Sequence, residues 1–234
     1  MESGPVVVIA TPSYTGDFPE VYVQSLMATF SNLVRTNIRL AWAPLSGWPY
    51  LVQARSLLLH QFLAMSEGTH LLWVDADMAW EWDSIPKLLD TGHDVIGAPY
   101  MNRHEIRNTH SEKNGMPLFD DVVEVDGAGT GFLMLSRRAA QLLSDMATES
   151  ITFEICGQDV TVPQATPVKT SATGKLMTED IALCRALAAK GYPTYLHIGL
   201  KVGHLRRELA FLDPEQLREN FEHLETLDDV QAGR

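Results

Sequence analysis

Short apolar runs that stop abruptly, with amphipathic stretches between them, constrain this chain more than any other feature. Val6-Val7-Val8-Ile9-Ala10, Leu71-Leu72-Trp73-Val74 and Val95-Ile96-Gly97 are continuous and strand-length, the pattern of strands buried on both faces. Residues 38–42 read as a further strand. Between these runs, residues 19–33 place Val21, Leu26, Phe30 and Leu33 at near-helical spacing, and residues 50–65 do the same with Leu51, Ala54, Leu58, Phe62 and Met65. A third helix is expected over 83–89. This β-α-β-α-β-α-β order with short connections predicts an α/β fold, a Rossmann-type, mostly parallel sheet with helices on both faces. The first strand is expected to stop at Thr11-Pro12-Ser13, because Pro12 has no N–H for a ladder.

The second half is less regular. Strands are expected at 122–125 and 132–135, around the cluster Gly127-Ala128-Gly129-Thr130-Gly131. A helix follows at 137–146, then a hairpin over 151–162 turning at Gly157-Gln158, and a loop rich in Thr, Ser, Pro and Gly at 163–174. Thr178 caps a helix that runs to Lys190 and closes at Gly191. A last strand at 195–198 and an acidic helix at 214–227 complete the order. With neither an internal repeat nor a linker, the expectation is a single domain over residues 1–212, with an acidic helix and tail over 213–234.

Composition narrows the partners. The 234 residues carry a net charge of −12, and the stretch from Asp213 to Asp229 holds seven carboxylates against Arg218, half of that imbalance. An acidic body argues against a general nucleic-acid coat, which needs a Lys/Arg surface. Val6 to Ala10 is far shorter than the roughly 20 apolar residues of a membrane span. Cys156 and Cys184 lack metal-ligand spacing and read as reduced core residues. With no positively charged segment at the N-terminus, a cytoplasmic location is expected.

In an open parallel sheet, ligands bind beyond the carboxyl ends of the strands. Those ends carry Thr11-Pro12, Asp75-Ala76-Asp77 and Gly97-Ala98-Pro99-Tyr100. On an extended chain, Asp75 and Asp77 point the same way and suit one hard cation, Mg²⁺ or Mn²⁺. Arg55, inside an apolar helix, is either a snorkelling surface residue, an anion clamp or an orienter of the first carboxylate. Gly129-Thr130-Gly131 permits close approach of backbone to a ligand. Glu179-Asp180 opens a helix, where the dipole favours acidic residues, and equally supplies a general base. His204 follows the last strand, whereas His60, His70, His93 and His223 read as structural residues.

Taken together these segments resemble the nucleotide-sugar glycosyltransferases of the GT-A fold, most nearly the small family-2-like enzymes of bacteria and large viruses. The segments are Ala10-Thr11-Pro12, Arg55, "LLWVDADM" from Leu71, "GAGTGFLML" from Gly127, "TED" at Thr178 and "VGH" at Val202, in that order. The resemblance implies transfer of a sugar from a UDP- or GDP-linked nucleoside-diphosphate donor to an acceptor hydroxyl. It assigns Thr11, Pro12, Tyr14, Arg55, Asp75, Ala76 and Lys201 to donor binding, and Gly129, Thr130, Gly131 and Arg103 to the acceptor and sugar pocket. It further implies Mn²⁺ or Mg²⁺ held by Asp75, Asp77 and His204, and Asp180 as the base of an inverting reaction, with Glu179 the second candidate. Lys201, Arg206 and Arg207 are expected to fold over the phosphates. The acceptor is a glycan, a lipid-linked sugar or, given the basic strip Arg103, His104, Arg107, His110 and Lys113, a modified nucleobase. Three alternatives stay open: a sugar-phosphate nucleotidyltransferase, a metal-dependent hydrolase, and a sugar-nucleotide-binding protein without turnover.

Overall fold

The computed structural model describes residues 4–101, 110–112, 121–165, 169–170, 176–205, 209–211 and 215. The first half contains β1 (Val6–Ser13), α1 (Glu20–Leu33), β2 (Arg39–Ser46), α2 (Leu51–Ala64), β3 (His70–Val74), β4 (Met78–Trp80), α3 (Ser84–Asp90) and β5 (Val95–Gly97). The second half contains β6 (His110–Glu112), β7 (Val122–Ala128), β8 (Phe132–Ser136), α4 (Arg137–Asp145), β9 (Ser150–Ile155), β10 (Gln158–Pro163), β11 (Lys169–Thr170), β12 (Leu176–Met177), α5 (Glu179–Ala188), β13 (Thr194–His197), β14 (Val202–Leu205) and β15 (Leu209–Phe211). No helix among the described residues is long and apolar enough to cross a membrane.

Eight strands form the central sheet in the order β2-β1-β3-β8-β5-β13-β7-β6. Six share one direction, while β8 and β7 run against them. The mostly parallel α/β sheet expected from the element order is therefore the one observed. Periodicity did not reveal that β8 inserts antiparallel between β3 and β5, pairing Leu71 with Leu135 on one side and Val95 with Leu135 on the other.

Alternation along the buried strands sorts the core into two layers. Val8, Ala10, Leu71, Trp73, Leu133 and Leu135 face α2, α4 and α5, packing on Leu58, Phe62, Ala139, Leu143, Leu183 and Leu187. Val7, Ile9, Leu72, Val74, Phe132 and Met134 face the other way, onto Tyr22 and Leu26 of α1, Ile85 and Leu88 of α3, and Met78 and Trp80 of β4. Helices thus cover both faces, as the continuous apolar runs require. Each fully buried Leu or Val contributes about 1.5–3 kcal/mol of transfer free energy.

Three expectations need correction. β1 continues through Thr11, Pro12 and Ser13, paired with β2 as far as Ser13 opposite Ser46. Its pairing with β3 covers only Val7 to Ala10, so beyond Ala10 no ladder on that side demands the N–H that Pro12 lacks. The hairpin β9–β10 turns at Cys156 and Gly157, both at positive φ (52° and 75°), one residue earlier than expected. Cys156 is consequently exposed at the hairpin tip and is no core residue; Cys184 is buried, and burial pushes its thiol up to about 11. The acidic helix expected over 214–227 lies outside the described residues, apart from Glu215. The helix opened by Thr178 is observed as α5, with Gly191 past its end at φ +87°.

Candidate functional site

A cleft of about 610 Å³ opens where β1 and β3 end. One wall is the segment after β1, from Pro12 to Thr15 with Asp17 and Pro19; the other is Asp75, Ala76, Asp77 and His204, with Leu51 of α2 alongside. Short polar side chains fold the first wall. Ser13 Oγ donates to the Asp17 carbonyl (3.0 Å) and accepts from the Gly16 N–H (3.1 Å), and Gly16 takes φ +81°, a conformation open to glycine.

The chain does not stay extended through Asp75-Ala76-Asp77. The Met78 N–H donates to the Asp75 carbonyl (3.1 Å), closing a turn before β4. The two carboxylates therefore do not share one direction, contrary to the extended-chain expectation. Asp75 follows Val74 on the layer of α2 and α5, and its Oδ1 accepts from Arg55 Nη2 at 2.8 Å. Asp77 is carried past the turn to β14, where its Oδ1 lies 3.4 Å from His204 Nε2.

Arg55 stands in the middle of α2 and is 1% exposed, which excludes the snorkelling reading. Its Nη1 reaches Asp180 Oδ1 at 3.4 Å and Glu179 Oε1 at 3.6 Å. Burial by itself would lower the Arg55 pKa; the charges of Asp75 and Asp180 outweigh it and hold the guanidinium above its ordinary value. Asp180 Oδ1 also accepts from Thr130 Oγ1. Burial is nevertheless the largest influence on Asp180 and raises its carboxyl above the usual range, Arg55 and Thr130 opposing it.

Register fixes His204. β14 pairs antiparallel with β4, setting His204 opposite Met78, and the Leu205 N–H donates to the Asp77 carbonyl at 2.7 Å. His204 Nδ1 lies 2.8 Å from the carbonyl of Met101. A carbonyl only accepts, so Nδ1 carries the proton and Nε2 is the atom turned to Asp77. An imidazole lone pair and a carboxylate oxygen repel each other until a proton or a cation lies between them. One carboxylate and one imidazole suit a divalent cation that completes its shell with ligand oxygens and water. Among the described residues no group of three or more His, Cys, Asp or Glu is placed to hold a metal ion, so the protein alone does not form a full cage.

Between the two acidic centres sits a contact the sequence did not suggest. Tyr100, 5% exposed, accepts the Gly131 N–H at its hydroxyl (2.9 Å), and its ring meets His204 edge-on at 5.6 Å. A Cβ on Gly131 would lie 2.5 Å from that hydroxyl and 3.0 Å from Asp75 Oδ2, so the position admits glycine alone without displacement.

The structure therefore gathers Pro12, Tyr14, Asp75, Ala76, Asp77 and His204 at the cleft, and Arg55, Glu179, Asp180, Thr130 and Gly131 beside it. Thr11 is fully buried, with its hydroxyl bonded to Tyr22 and accepting from Trp42 Nε1 (3.3 Å), so it supports the floor and does not line the cleft. Gly129 is buried beside Thr130. Lys201 is exposed between β13 and β14 and is not a cleft-lining residue, in contrast to its expected place over the phosphates. Arg103, Arg206 and Arg207 lie outside the described residues. Ser13, Thr15, Asp17 and Leu51 were missed; Gly16 and the polar run around it were the available signal for the first three, while Tyr100 stands at a strand end expected to face the crevice.

No family model matches the chain, and no curated protein matches it. Among solved structures, it is similar to A197 from STIV at 18% identity, over 90% of this chain and 91% of that one, with a TM-score of 0.57. Looser likenesses are to a glycosyltransferase involved in the glycosylation of the major capsid of PBCV-1 (12% identity, 59% of this chain and 63% of that one, TM-score 0.34) and to UDP-glucose pyrophosphorylase complexed with UDP-glucose (11%, 97% and 99%, TM-score 0.46). The likeness to A197 is one of fold and runs along nearly the whole length of both chains.

Proposed function

We propose that this chain is a divalent-cation-dependent glycosyltransferase that moves a sugar from a UDP- or GDP-linked donor to an acceptor hydroxyl with inversion. One observation carries the reading: two acidic centres of different character meet at the carboxyl end of the sheet. Asp77 faces an imidazole in an open cleft, while Asp75, Glu179 and Asp180 surround a buried guanidinium. A binding protein has no need of the second centre.

The cleft suits a diphosphate only with added positive charge. Among the described residues its lining includes three aspartates and no Lys or Arg. Mg²⁺ or Mn²⁺ on Asp77 and His204, with Asp75 adjacent, would neutralise the charge that develops on a departing diphosphate. Asp180 takes the proton of the acceptor hydroxyl, whose oxygen bonds to the anomeric carbon. The bond from that carbon to the diphosphate breaks, and its electron pair leaves on the diphosphate oxygen. Thr130 and Arg55 both bond to Oδ1 of Asp180, so in this reading Oδ2 takes the proton. The raised pKa favours a base that holds the proton once taken. Glu179, farther from Arg55, orients the pair. A glycan, a lipid-linked sugar or a modified nucleobase each presents a hydroxyl for this chemistry. The nucleotidyltransferase alternative is disfavoured because the segment after β1 offers the carboxylate of Asp17 where phosphate activation calls for basic groups.

The test is calorimetric titration with UDP and GDP in Mn²⁺ and in EDTA, followed by incubation with UDP- and GDP-linked sugars and assay of free nucleotide. Metal-dependent binding and nucleotide release support the reading. Equal affinity in EDTA, or conversion of the donor with added pyrophosphate to nucleoside triphosphate and sugar 1-phosphate in place of release of nucleoside diphosphate, contradicts it.

A further inference from the structure

Arg55 invites comparison with a phosphate clamp, yet its surroundings point elsewhere. It is 1% exposed and is not among the residues that line the cleft. Its two terminal nitrogens are committed to carboxylates from distant parts of the chain: Nη2 to Asp75, twenty residues later, and Nη1 to Asp180, 125 residues later. Asp75 directly follows β3 and Asp180 lies in the first turn of α5, so the guanidinium joins a strand end to a helix start across the layer of α2.

We propose that Arg55 is a positioning residue that sets the base Asp180 at a fixed place relative to the donor-side carboxylate Asp75. This rests on the assignment of Asp180 as base. The planar guanidinium has its donors in a rigid fork, so holding Asp75 fixes where Nη1 meets Asp180. Lysine offers a single ammonium centre and cannot bridge the two with that geometry. Thr130 supplies the second restraint on Asp180 Oδ1, and its neighbour Gly131 accepts the Asp75 N–H at its carbonyl (3.0 Å). The same short segment of chain therefore approaches both carboxylates that Arg55 links. Leu58 and Leu59, three and four residues farther along α2 and so on the same side of the helix as Arg55, are buried as well.

A double-mutant cycle tests this with UDP-glucose and GDP-mannose as donors in Mn²⁺, water as acceptor and free nucleotide as the readout. Arg55→Lys should lower kcat about 10²-fold, with donor KM and calorimetric UDP or GDP affinity changed less than about threefold. In the Asp180→Asn background the same substitution should cost less than about threefold, because the base it positions is already gone. A merely structural role would multiply the two losses. Arg55→Gln, a neutral planar side chain, gives a second variant should the lysine form fold poorly, and kcat is referred to folded protein. Loss of donor affinity with unchanged kcat would overturn the proposal in favour of a phosphate clamp, and multiplicative losses in the cycle would overturn it in favour of a structural role. If Asp180→Asn turns over at the parent rate, or the parent releases no nucleotide from either donor, the base assignment falls and this inference with it. If Asp180→Asn is inactive while Arg55→Lys is fully active, this inference alone falls.

Discussion

His204 Nε2 lies 3.4 Å from Asp77 Oδ1, and backbone pairing sets that approach: His204 stands opposite Met78, and the next N–H along, that of Leu205, donates to the carbonyl of Asp77 itself. β4 is anchored in turn by Trp80, whose N–H donates to Ser25 Oγ and whose indole donates to Thr29 Oγ1, both on α1. The pair is thus built on a short ladder before any ligand arrives.

Asp77→Ala is expected to abolish Mn²⁺-dependent binding of UDP or GDP, and His204→Ala to weaken it by a smaller factor, since one neutral donor is lost while the carboxylates remain. Calorimetry in Mn²⁺ ranks the two. The reverse ranking would move the principal cation ligand from Asp77 to His204.

Gly131→Ala places a methyl group against the Tyr100 hydroxyl and the Asp75 carboxylate. Overpacking of this kind costs about 1–3 kcal/mol. A lowered melting temperature and a loss of turnover are expected together, and Tyr100→Phe, which removes the hydroxyl at 2.5 Å but leaves Cζ at 2.9 Å and takes the acceptor from the Gly131 N–H, should restore little of the stability. Thermal denaturation of the single and double variants measures this.

Asp180 has a native pKa raised above the ordinary carboxylate value, mainly by burial. The native state therefore keeps this proton where the unfolded chain has released it. The stabilisation is complete below the unfolded carboxylate range and is lost as pH rises through the native pKa. Asp180→Asn, with no charge to bury, should gain in melting temperature on the parent across that window, and the two should converge in acid. For the same reason, the acid limb of the parent's kcat profile should lie above the ordinary carboxylate range. A limb at the usual Asp value would assign the proton transfer to another group.

Much of this architecture is legible in the sequence because buried strands leave a plain mark. Val6 to Ala10 and Leu71 to Val74 are apolar on both faces, and the helical spacing of Leu51, Ala54, Leu58 and Phe62 marks α2. The antiparallel entry of β8 leaves no such mark, since Phe132 to Leu135 would be equally apolar in either direction. β4 and β14 are three and four residues long, too short to show a period, yet together they bring His204 to Asp77. The motif residues were identifiable, and so were Asp75 as one possible partner of Arg55 and His204 beside Asp77; the link from Arg55 to Glu179 and Asp180 was not. Arg55 looked ambiguous because its three carboxylates lie far from it in sequence, and the turn after Asp75 depends on a backbone hydrogen bond that strand alternation does not encode.

The central claim is that Asp180 acts on the acceptor hydroxyl while Asp77 and His204 serve the donor diphosphate. Its most direct measurement compares Asp180→Asn with the parent for UDP and GDP affinity in Mn²⁺ and for nucleotide release from UDP- and GDP-linked sugars. The account predicts affinity within about threefold of the parent and turnover lowered by roughly 10²–10⁴, the usual worth of a positioned base. Turnover at the parent rate, or a loss of affinity that matches the loss of turnover, would contradict it.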